Sequence, residues 1–362
     1  MKPLLVLCFA VLCITLTLGL WPFHAPRNEV SWLKGGNGLA FGRHGTVLSR
    51  SPLNSAGSTG SVEIWAQPKR WTGSTLLTLY RPDKQLSFEV RQSLEDLEPS
   101  FTVHGTKSHF YVGDALGPSL REKKPVLITV TSGRQGTTVF RDGALAMAAS
   151  GFRIPDGVFA GRLVVGDSVG ETHNFRGDIL GLAIYDRELN AADSLLHYQS
   201  WKQNGQPDST AHTADLIALY LFDERKGNLI HNHVPAGAPL YIPERYTVVD
   251  EIFLEPVWEE FDFSKSYWAG NLKNIVGFIP TGFCFYAYLI GAWPAKRALL
   301  ITLSLGFLVS LAIEVLQAYL PTRDSGTTDL ITNTLGAYIG VICYRRFLDW
   351  AKKHPRSIGQ YV

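Results

Sequence analysis

Cysteine is scarce in this chain and confined to apolar sequence. The 362 residues hold four: Cys8, Cys13, Cys284 and Cys343, each inside a hydrophobic run. The long polar middle has none, which excludes a disulfide framework and a Cys-based zinc site there. Thiols in such surroundings are packing residues rather than reactive ones. An excess of charge is lacking too. Lys and Arg number 34 and Asp and Glu 32, a formal charge of +2, so nothing in the composition draws the chain to nucleic acid. At about 150 residues per domain, the length predicts two domains.

Hydrophobic length is what the sequence has instead. Residues 4–20 are continuously apolar and follow Met1-Lys2. Trp21, Pro22 and Phe23 come next, where a signal peptide would show a small-x-small cleavage site. Residues 1–21 are therefore read as an uncleaved transmembrane anchor with Trp21 at the interface; a signal peptide is the alternative. Lipoprotein processing at Cys13 is poorly matched by Ala10-Val11-Leu12. Since about 20 residues cross a bilayer, three more spans are expected near 274–290, 298–320 and 330–347.

Basic residues orient these spans. Lys2 precedes the first, Lys296 and Arg297 lie between the second and third, and Arg345, Arg346, Lys352, Lys353 and Arg356 follow the last. With four spans all of these fall on one side, which is then cytoplasmic. Arg323 beside Asp324, with Lys265 and Lys273, stands on the other side and weakens the pattern slightly. The expectation is a multi-pass protein of the inner membrane. Residues 21–270 are exported and a basic tail, 349–362, is cytoplasmic.

Short runs such as SVEIWAQP, STLLTLYRP, QLSFEVRQ, VLITVTSG and RLVVGD fill the middle. Their alternation and β-branched content mark half-buried strands. Asp142-Gly143 suits a hairpin turn with positive φ. Many strands and almost no helix predict two packed antiparallel sheets. Five pieces then stand in order: Gly38-Leu39-Ala40-Phe41, Val62-Glu63-Ile64-Trp65-Ala66-Gln67-Pro68, Val139-Phe140-Arg141-Asp142-Gly143, Phe175-Arg176-Gly177-Asp178-Ile179, and Leu182-Ala183-Ile184-Tyr185-Asp186-Arg187-Glu188-Leu189. Together they resemble a LamG domain of the concanavalin A-like jelly-roll class, over 30–200 within a sandwich placed at 28–245. That family opens with a strand resembling Tyr-x-Phe-Asp-Glu-x-x-Gly. The piece is absent before Trp32 and stands instead at Tyr220-Leu221-Phe222-Asp223-Glu224-Arg225-Lys226-Gly227. A circular permutation is inferred, in which 218–241 fills the place of the missing first strand. An unrelated extra strand is the alternative.

The resemblance implies binding of sugars or proteins, and in some relatives glycan hydrolysis. Hydrolysis needs two carboxylates across the scissile bond, and jelly-roll glucanases carry Glu-x-Asp-x-Glu on one strand. This chain has no such segment. Glu95-Asp96-Leu97-Glu98 has the wrong spacing, precedes Pro99 and reads as a solvated loop, so recognition rather than hydrolysis is expected. His231-Asn232-His233 reads as a polar turn because no third metal ligand is evident. No cofactor is expected. Calcium could be held through loop oxygens such as Asp167 or Asp178, but the six to eight oxygens it requires are not visible in sequence. Trp71 and Tyr111 could stack on sugar or serve equally as core or turn residues.

After the sandwich, a linker at 246–270 interleaves Phe253, Trp258, Phe261 and Phe263 with Glu255, Glu259, Glu260 and Asp262. That composition suits a membrane–water interface, or a plain linker. The last three spans then carry Asn274, Glu314, Gln317, Asp329 and Asn333 where lipid disfavours them. Glu314 and Gln317 share a helix face, as do Asp329, Asn333, Gly336 and Gly340. The two glycines let another helix approach, expected to be the one bearing Glu314 and Gln317. Pro280 is expected to kink its span. Asn274-Ile275, Phe278-Ile279-Pro280-x-Gly282, Glu314-x-x-Gln317, Arg323, Asp329, Asn333, Gly336 and Gly340 together resemble the VanZ-like membrane family, over 271–348. In many members of that family a first span comes just before this segment; residues 4–20 are read as that span, and the insertion of the sandwich after it is inferred from topology. The family's general activity is not well defined, and the drug resistance in its name is not carried over.

The fold class expected is therefore mixed: an exported all-β antiparallel jelly-roll sandwich plus an α-helical transmembrane bundle. Asn274, Glu314, Gln317, Arg323, Asp329 and Asn333 are expected to line a polar pocket open to the outer leaflet. Its ligand would be a membrane lipid or a lipid-linked saccharide, with Arg323 on a phosphate. Three alternatives stand beside this. One is an enzyme acting on such a lipid, with Glu314 and Asp329 as catalytic candidates. Another is a buried polar cluster that only locks helix packing. The third is an adhesion or scaffold protein with an envelope-protein partner and an inert anchor.

Overall fold

The computed structural model describes residues 2–55, 59–170, 173–207, 215–250, 253–261, 265–323 and 325–354. Helix α1 (Lys2–Leu20) opens the chain. Eight strands follow: β1 (Val30–Trp32), β2 (Leu39–Phe41), β3 (Val47–Ser49), β4 (Gly60–Pro68), β5 (Ser74–Arg81), β6 (Leu86–Ser93), β7 (Asp96–Val103) and β8 (Thr106–His109). A short helix α2 (Gly117–Glu122) leads to β9 (Val126–Gly133), β10 (Gly136–Arg141), β11 (Ala144–Ala149), β12 (Arg162–Val165) and β13 (Gly177–Tyr185). Helix α3 (Ala191–Asn204) precedes β14 (Leu216–Tyr220), β15 (Leu229–Ile230) and β16 (Leu240–Tyr241). The chain then turns helical: α4 (Val257–Glu260), α5 (Lys265–Leu289), α6 (Ala295–Gln317) and α7 (Thr327–Lys353). Two compact units result, Pro26–Asp250 and Met1–Ala25 with Glu251–Val362.

The first of these units is an antiparallel sandwich. One sheet runs β1-β2-β13-β4-β9-β10-β11 and the other β15-β16-β3-β12-β5-β6-β7-β8. Strict alternation in β6 sends Leu86, Phe88 and Val90 inward, where they meet Leu77, Leu79, Phe175 and Ile179 in one core. Asp142 and Gly143 both take positive φ, 50° and 77°, as a two-residue hairpin between β10 and β11 requires. The segment 218–241 enters both sheets. β14 pairs with the second half of β13, whose first half pairs with β2, while β16 pairs with β3. Helix α3 covers the outer face of the first sheet and buries Trp201 against Leu127, Ala183 and Tyr185. Its start is fixed by a capping box, Asn190 accepting from the Asp193 amide and Asp193 from the Asn190 amide. Of the acidic run at 95–98 only Glu95 lies in a turn, while Asp96 to Glu98 open β7. Glu98 lies in β7, paired with Arg91 of β6 and 8% exposed. Pro99 is tolerated beside it because its nitrogen faces the side where β8 has ended, and its carbonyl still accepts from the Phe110 amide at 3.3 Å.

In the second unit α1, α5, α6 and α7 pack together. α5 and α7 are longer than expected, at 25 and 27 residues. Only α1 and α6 are long and apolar enough to cross a membrane by length and composition, among the described residues. Lys265, Asn271, Lys273 and Asn274 dilute α5, and the charges from Arg345 onward dilute α7. The glycine face of α7 meets α5, not α6 as expected. A Cβ on Gly336 would strike the Ile275 carbonyl, one on Gly340 the Ile279 carbonyl, and one on Gly282 the Ala337 carbonyl. Small residues on both helices bring the backbones together. α1 is tied in by Cys8 Sγ to the Cys284 carbonyl at 3.2 Å and Thr15 Oγ1 to Thr281 Oγ1 at 3.1 Å.

Candidate functional site

The N-terminus of α7 organises the polar residues of the helical unit. A helix start leaves backbone amides without intrahelical partners and carries positive partial charge. Here they are met from three directions. Gly326 N donates to Glu314 Oε2 at 3.0 Å, Thr327 N to the Glu255 carbonyl at 2.9 Å, and Thr328 N to Glu260 Oε2 at 2.8 Å. The Thr328 hydroxyl also binds Glu260 Oε2, and the Ser325 hydroxyl reaches Glu314. A Cβ on Gly326 would displace the Glu260 carboxylate from its place at the helix start. Glu314 is 1% exposed, and the carboxylates of Asp329 and Glu260 act on it as like charges. The result is a cluster of acids around a helix start, stabilised by oriented amides.

The six residues singled out in the sequence separate into smaller sets. Glu314 and Asp329 lie close enough to interact. Asn333, one turn below Asp329, donates from Nδ2 to Ser310 Oγ at 2.9 Å, and Ser310 is one turn below Glu314. Gln317 turns to α1 and donates to the Gly19 carbonyl at 2.8 Å. Both amides are buried, and the Gln317 Oε1 and Asn333 Oδ1 oxygens have no partner. Arg323 points its fork at a carbonyl: Nε and Nη2 both donate to Trp21 O, at 3.2 and 2.6 Å. Asn274 is half-buried on α5, and no bond joins it to the others among the described residues. Glu260 was not anticipated. Its signal was the acidic–aromatic run before α5, which says nothing of the distant helix start that it serves.

In the sandwich the calcium candidates have separate partners, Asp178 on β13 and Asp167 in the loop after β12. Asp178 on β13 pairs with Lys69 at 2.7 Å. Asp167 follows β12 and is fully buried. It accepts from Tyr246 OH at 2.6 Å, Ser168 N at 2.9 Å and His173 N at 3.2 Å. Burial pushes its carboxyl up to about 7 despite those donors. Among the described residues no group of three or more His, Cys, Asp or Glu could hold a metal ion. His231 and His233 instead face Glu224 and Asp223, at 3.2 and 3.4 Å.

The sandwich also holds a buried acid that the sequence reading passed over. Glu63 on β4 is 0% exposed. His197 Nδ1 lies 2.9 Å from its Oε1, with Thr129 Oγ1 at 3.4 Å. Tyr185 OH and Trp201 Nε1 donate to Oε2 at 3.2 and 3.3 Å. Burial, and then Glu63 itself, holds the Tyr185 phenol well above its ordinary range. The cluster is closed to solvent and locks α3 onto the sheet.

Two family models match the chain. Residues 41–193 match the concanavalin A-like lectin/glucanases superfamily, and residues 202–348 match VanZ/LLP1. The second match begins inside the sandwich unit and ends near the close of α7. Among solved structures, a SAP-like pentraxin from Limulus polyphemus is 12% identical, with 48% of this chain and 80% of that one covered and a TM-score of 0.33. Domains LG4-5 of the mouse laminin alpha1 chain are 11% identical, with 48% of each chain covered and a TM-score of 0.35. A Trypanosoma rangeli sialidase is 17% identical, with 49% of this chain and 30% of that one covered and a TM-score of 0.37. No curated protein matches the chain.

Proposed function

We propose that the protein spans the inner membrane of a bacterial envelope four times, with the sandwich outside and the C-terminus in the cytoplasm. The sandwich recognises a glycan or an envelope protein. The polar set around Glu314 binds the head group of a membrane lipid or of a lipid-linked saccharide. Several features support the membrane reading. Leu5, Phe9, Leu18, Leu300 and Leu308 are exposed along α1 and α6, a surface that lipid accepts and water does not. The 23 residues of α6 reach about 35 Å, enough for a hydrocarbon core of about 30 Å. Lys2, Lys296, Arg297, Arg345, Arg346, Lys352 and Lys353 gather at one end of the bundle, the cytoplasmic end by charge. Exposed Trp21, Trp268 and Tyr319 mark the other end, and Trp293 and Trp350 the basic one, as two interfacial girdles. The bonds from α1 to Cys284, Thr281 and Gln317 support retention of that helix.

Glu314 carries the ligand reading: a buried carboxylate at the outer end of a membrane-length helix; the same unit holds two buried amide oxygens without donors, on Gln317 and Asn333. The test is mass spectrometry of lipids that copurify with the full chain in native nanodiscs. A head-group class enriched over the bulk membrane is expected, and Glu314→Gln should lose that enrichment while the protein stays folded. Identical lipid profiles in both would sink the reading.

A further inference from the structure

Two neighbouring turns at one end of the sandwich carry large apolar side chains in the open. Trp71, in the turn between β4 and β5, is 45% exposed, and Leu94, in the turn between β6 and β7, is 59% exposed. A buried side chain holds the two turns side by side. Gln92 Nε2 donates to the Arg70 carbonyl at 2.6 Å and to the Leu94 carbonyl at 2.7 Å. Leu94 keeps its place at φ 57°, in the left-handed region that a bulky residue occupies only at a cost. Gly or Asn would make the same turn without that cost and without showing a leucine to water. Backbone strain at an exposed apolar tip points to a contact that repays it.

The surroundings of the tips narrow what that contact is. Lys69 and Arg70 precede Trp71 and are exposed. Lys69 reaches Asp178 at 2.7 Å, while Arg70 has no ion-pair partner among the described residues. The acid beside Leu94, Glu95, lies 3.7 Å from Arg121. The chain also enters and leaves the unit at this end. Asn28 N donates to the Glu244 carbonyl at 3.2 Å, and Glu29 N to the His44 carbonyl, between β2 and β3, at 2.7 Å. Asp250 N donates to the Val169 carbonyl at 3.0 Å, and the same loop runs on to Arg176, whose carbonyl accepts from Lys69 N at 2.9 Å. Residues 21–25 alone separate the unit from α1, a helix of membrane length. A turn tip offers a partner protein little area, whereas a bilayer surface accepts single side chains. Tryptophan favours the head-group level, leucine gains by leaving water, and the guanidinium fork matches phosphate.

We infer that this end of the sandwich seats in the phospholipid head-group layer of the outer leaflet. Trp71 and Leu94 enter the layer, and Arg70 binds lipid phosphate. The inference rests on the reading of the chain as a membrane protein with the sandwich outside. The full chain, labelled with 5-fluorotryptophan, would be placed in nanodiscs of phosphatidylcholine and phosphatidylglycerol. Its nine tryptophans would be followed by fluorine NMR with two broadening agents, a lipid spin-labelled at the head group and a soluble gadolinium chelate. Trp71→Phe and Trp268→Phe assign the two signals that matter. The spin-labelled lipid should broaden Trp71 beyond detection, and the chelate should leave it sharp. Arg70→Glu should reverse both effects at Trp71 and leave the lipid response of Trp268 unchanged. A Trp71 signal that answers to the lipid equally in Arg70→Glu overturns the phosphate contact. If Trp268 responds to the lipid and Trp71 does not, the inference fails while the membrane reading stands. In that case a chelate-broadened Trp71 is free in water, and one reached by neither agent is covered by protein. If no tryptophan responds to the lipid, both readings fail.

Discussion

Glu63 in the sandwich and Glu314 in the helical unit are both carboxylates with almost no exposure, yet they are held differently. Glu63 takes side-chain groups from β9, β13 and α3, so removing it would strand partners on three elements. Glu314 takes one backbone amide and one hydroxyl from the start of α7. The first arrangement is saturated and structural. The second is held by fewer groups, all from the start of one helix.

Several substitutions would break or sharpen that contrast. The largest effect is expected at Glu63→Ala, which should cost about 3–5 kcal/mol because a fully buried hydrogen-bonded charge is removed from its partners. Thermal or urea unfolding of the full chain measures it, and a loss comparable to that of a surface substitution would erase the distinction. Next comes Asp167, whose carboxyl titrates near 7 when folded and near 4 when unfolded. Because the folded value is the higher one, its contribution is fully present below about pH 4 and is lost as pH rises through about 7, on the order of a few kcal/mol. Asp167→Asn should flatten this part of the profile of midpoint against pH, and an unchanged slope would assign it to another group. Gly336→Leu should cost about 1–3 kcal/mol by driving α5 from α7. The same change at Gly270, where a Cβ would meet nothing within 4 Å, should cost far less. The smallest effect is expected at Glu314→Gln, about 1 kcal/mol or less, since one oxygen still accepts from Gly326 N. If it destabilises as much as Glu63→Ala, Glu314 is a packing residue and the ligand reading loses its footing.

Local pattern made the strands legible. The alternation of β6 and the Asp142-Gly143 turn needed no tertiary information, while the motif at Tyr220-Leu221-Phe222 begins where β14 (Leu216–Tyr220) ends. Glu98 was misplaced because Pro99 reads as a break. Only the third dimension reveals that the neighbouring strand has already ended there. The polar residues of the helical unit were visible one by one as violations of apolarity. Their partners were not, since the Glu260–Thr328 and Gln317–Gly19 contacts join residues far apart in sequence. The glycines of α7 gave a face but no address. Gly282 on α5 was the reciprocal mark, and it was read as part of the Pro280 motif instead.

The bond from Cys8 to the Cys284 carbonyl spans 276 positions, and that from Gln317 to Gly19 spans 298. At about 5–20 residues per second, α1 leaves the ribosome roughly a quarter to one minute before its partners exist. The sandwich is synthesised in that interval. The first helix to be made is thus the last to be secured, and the bundle can only close behind a domain that has had time to fold.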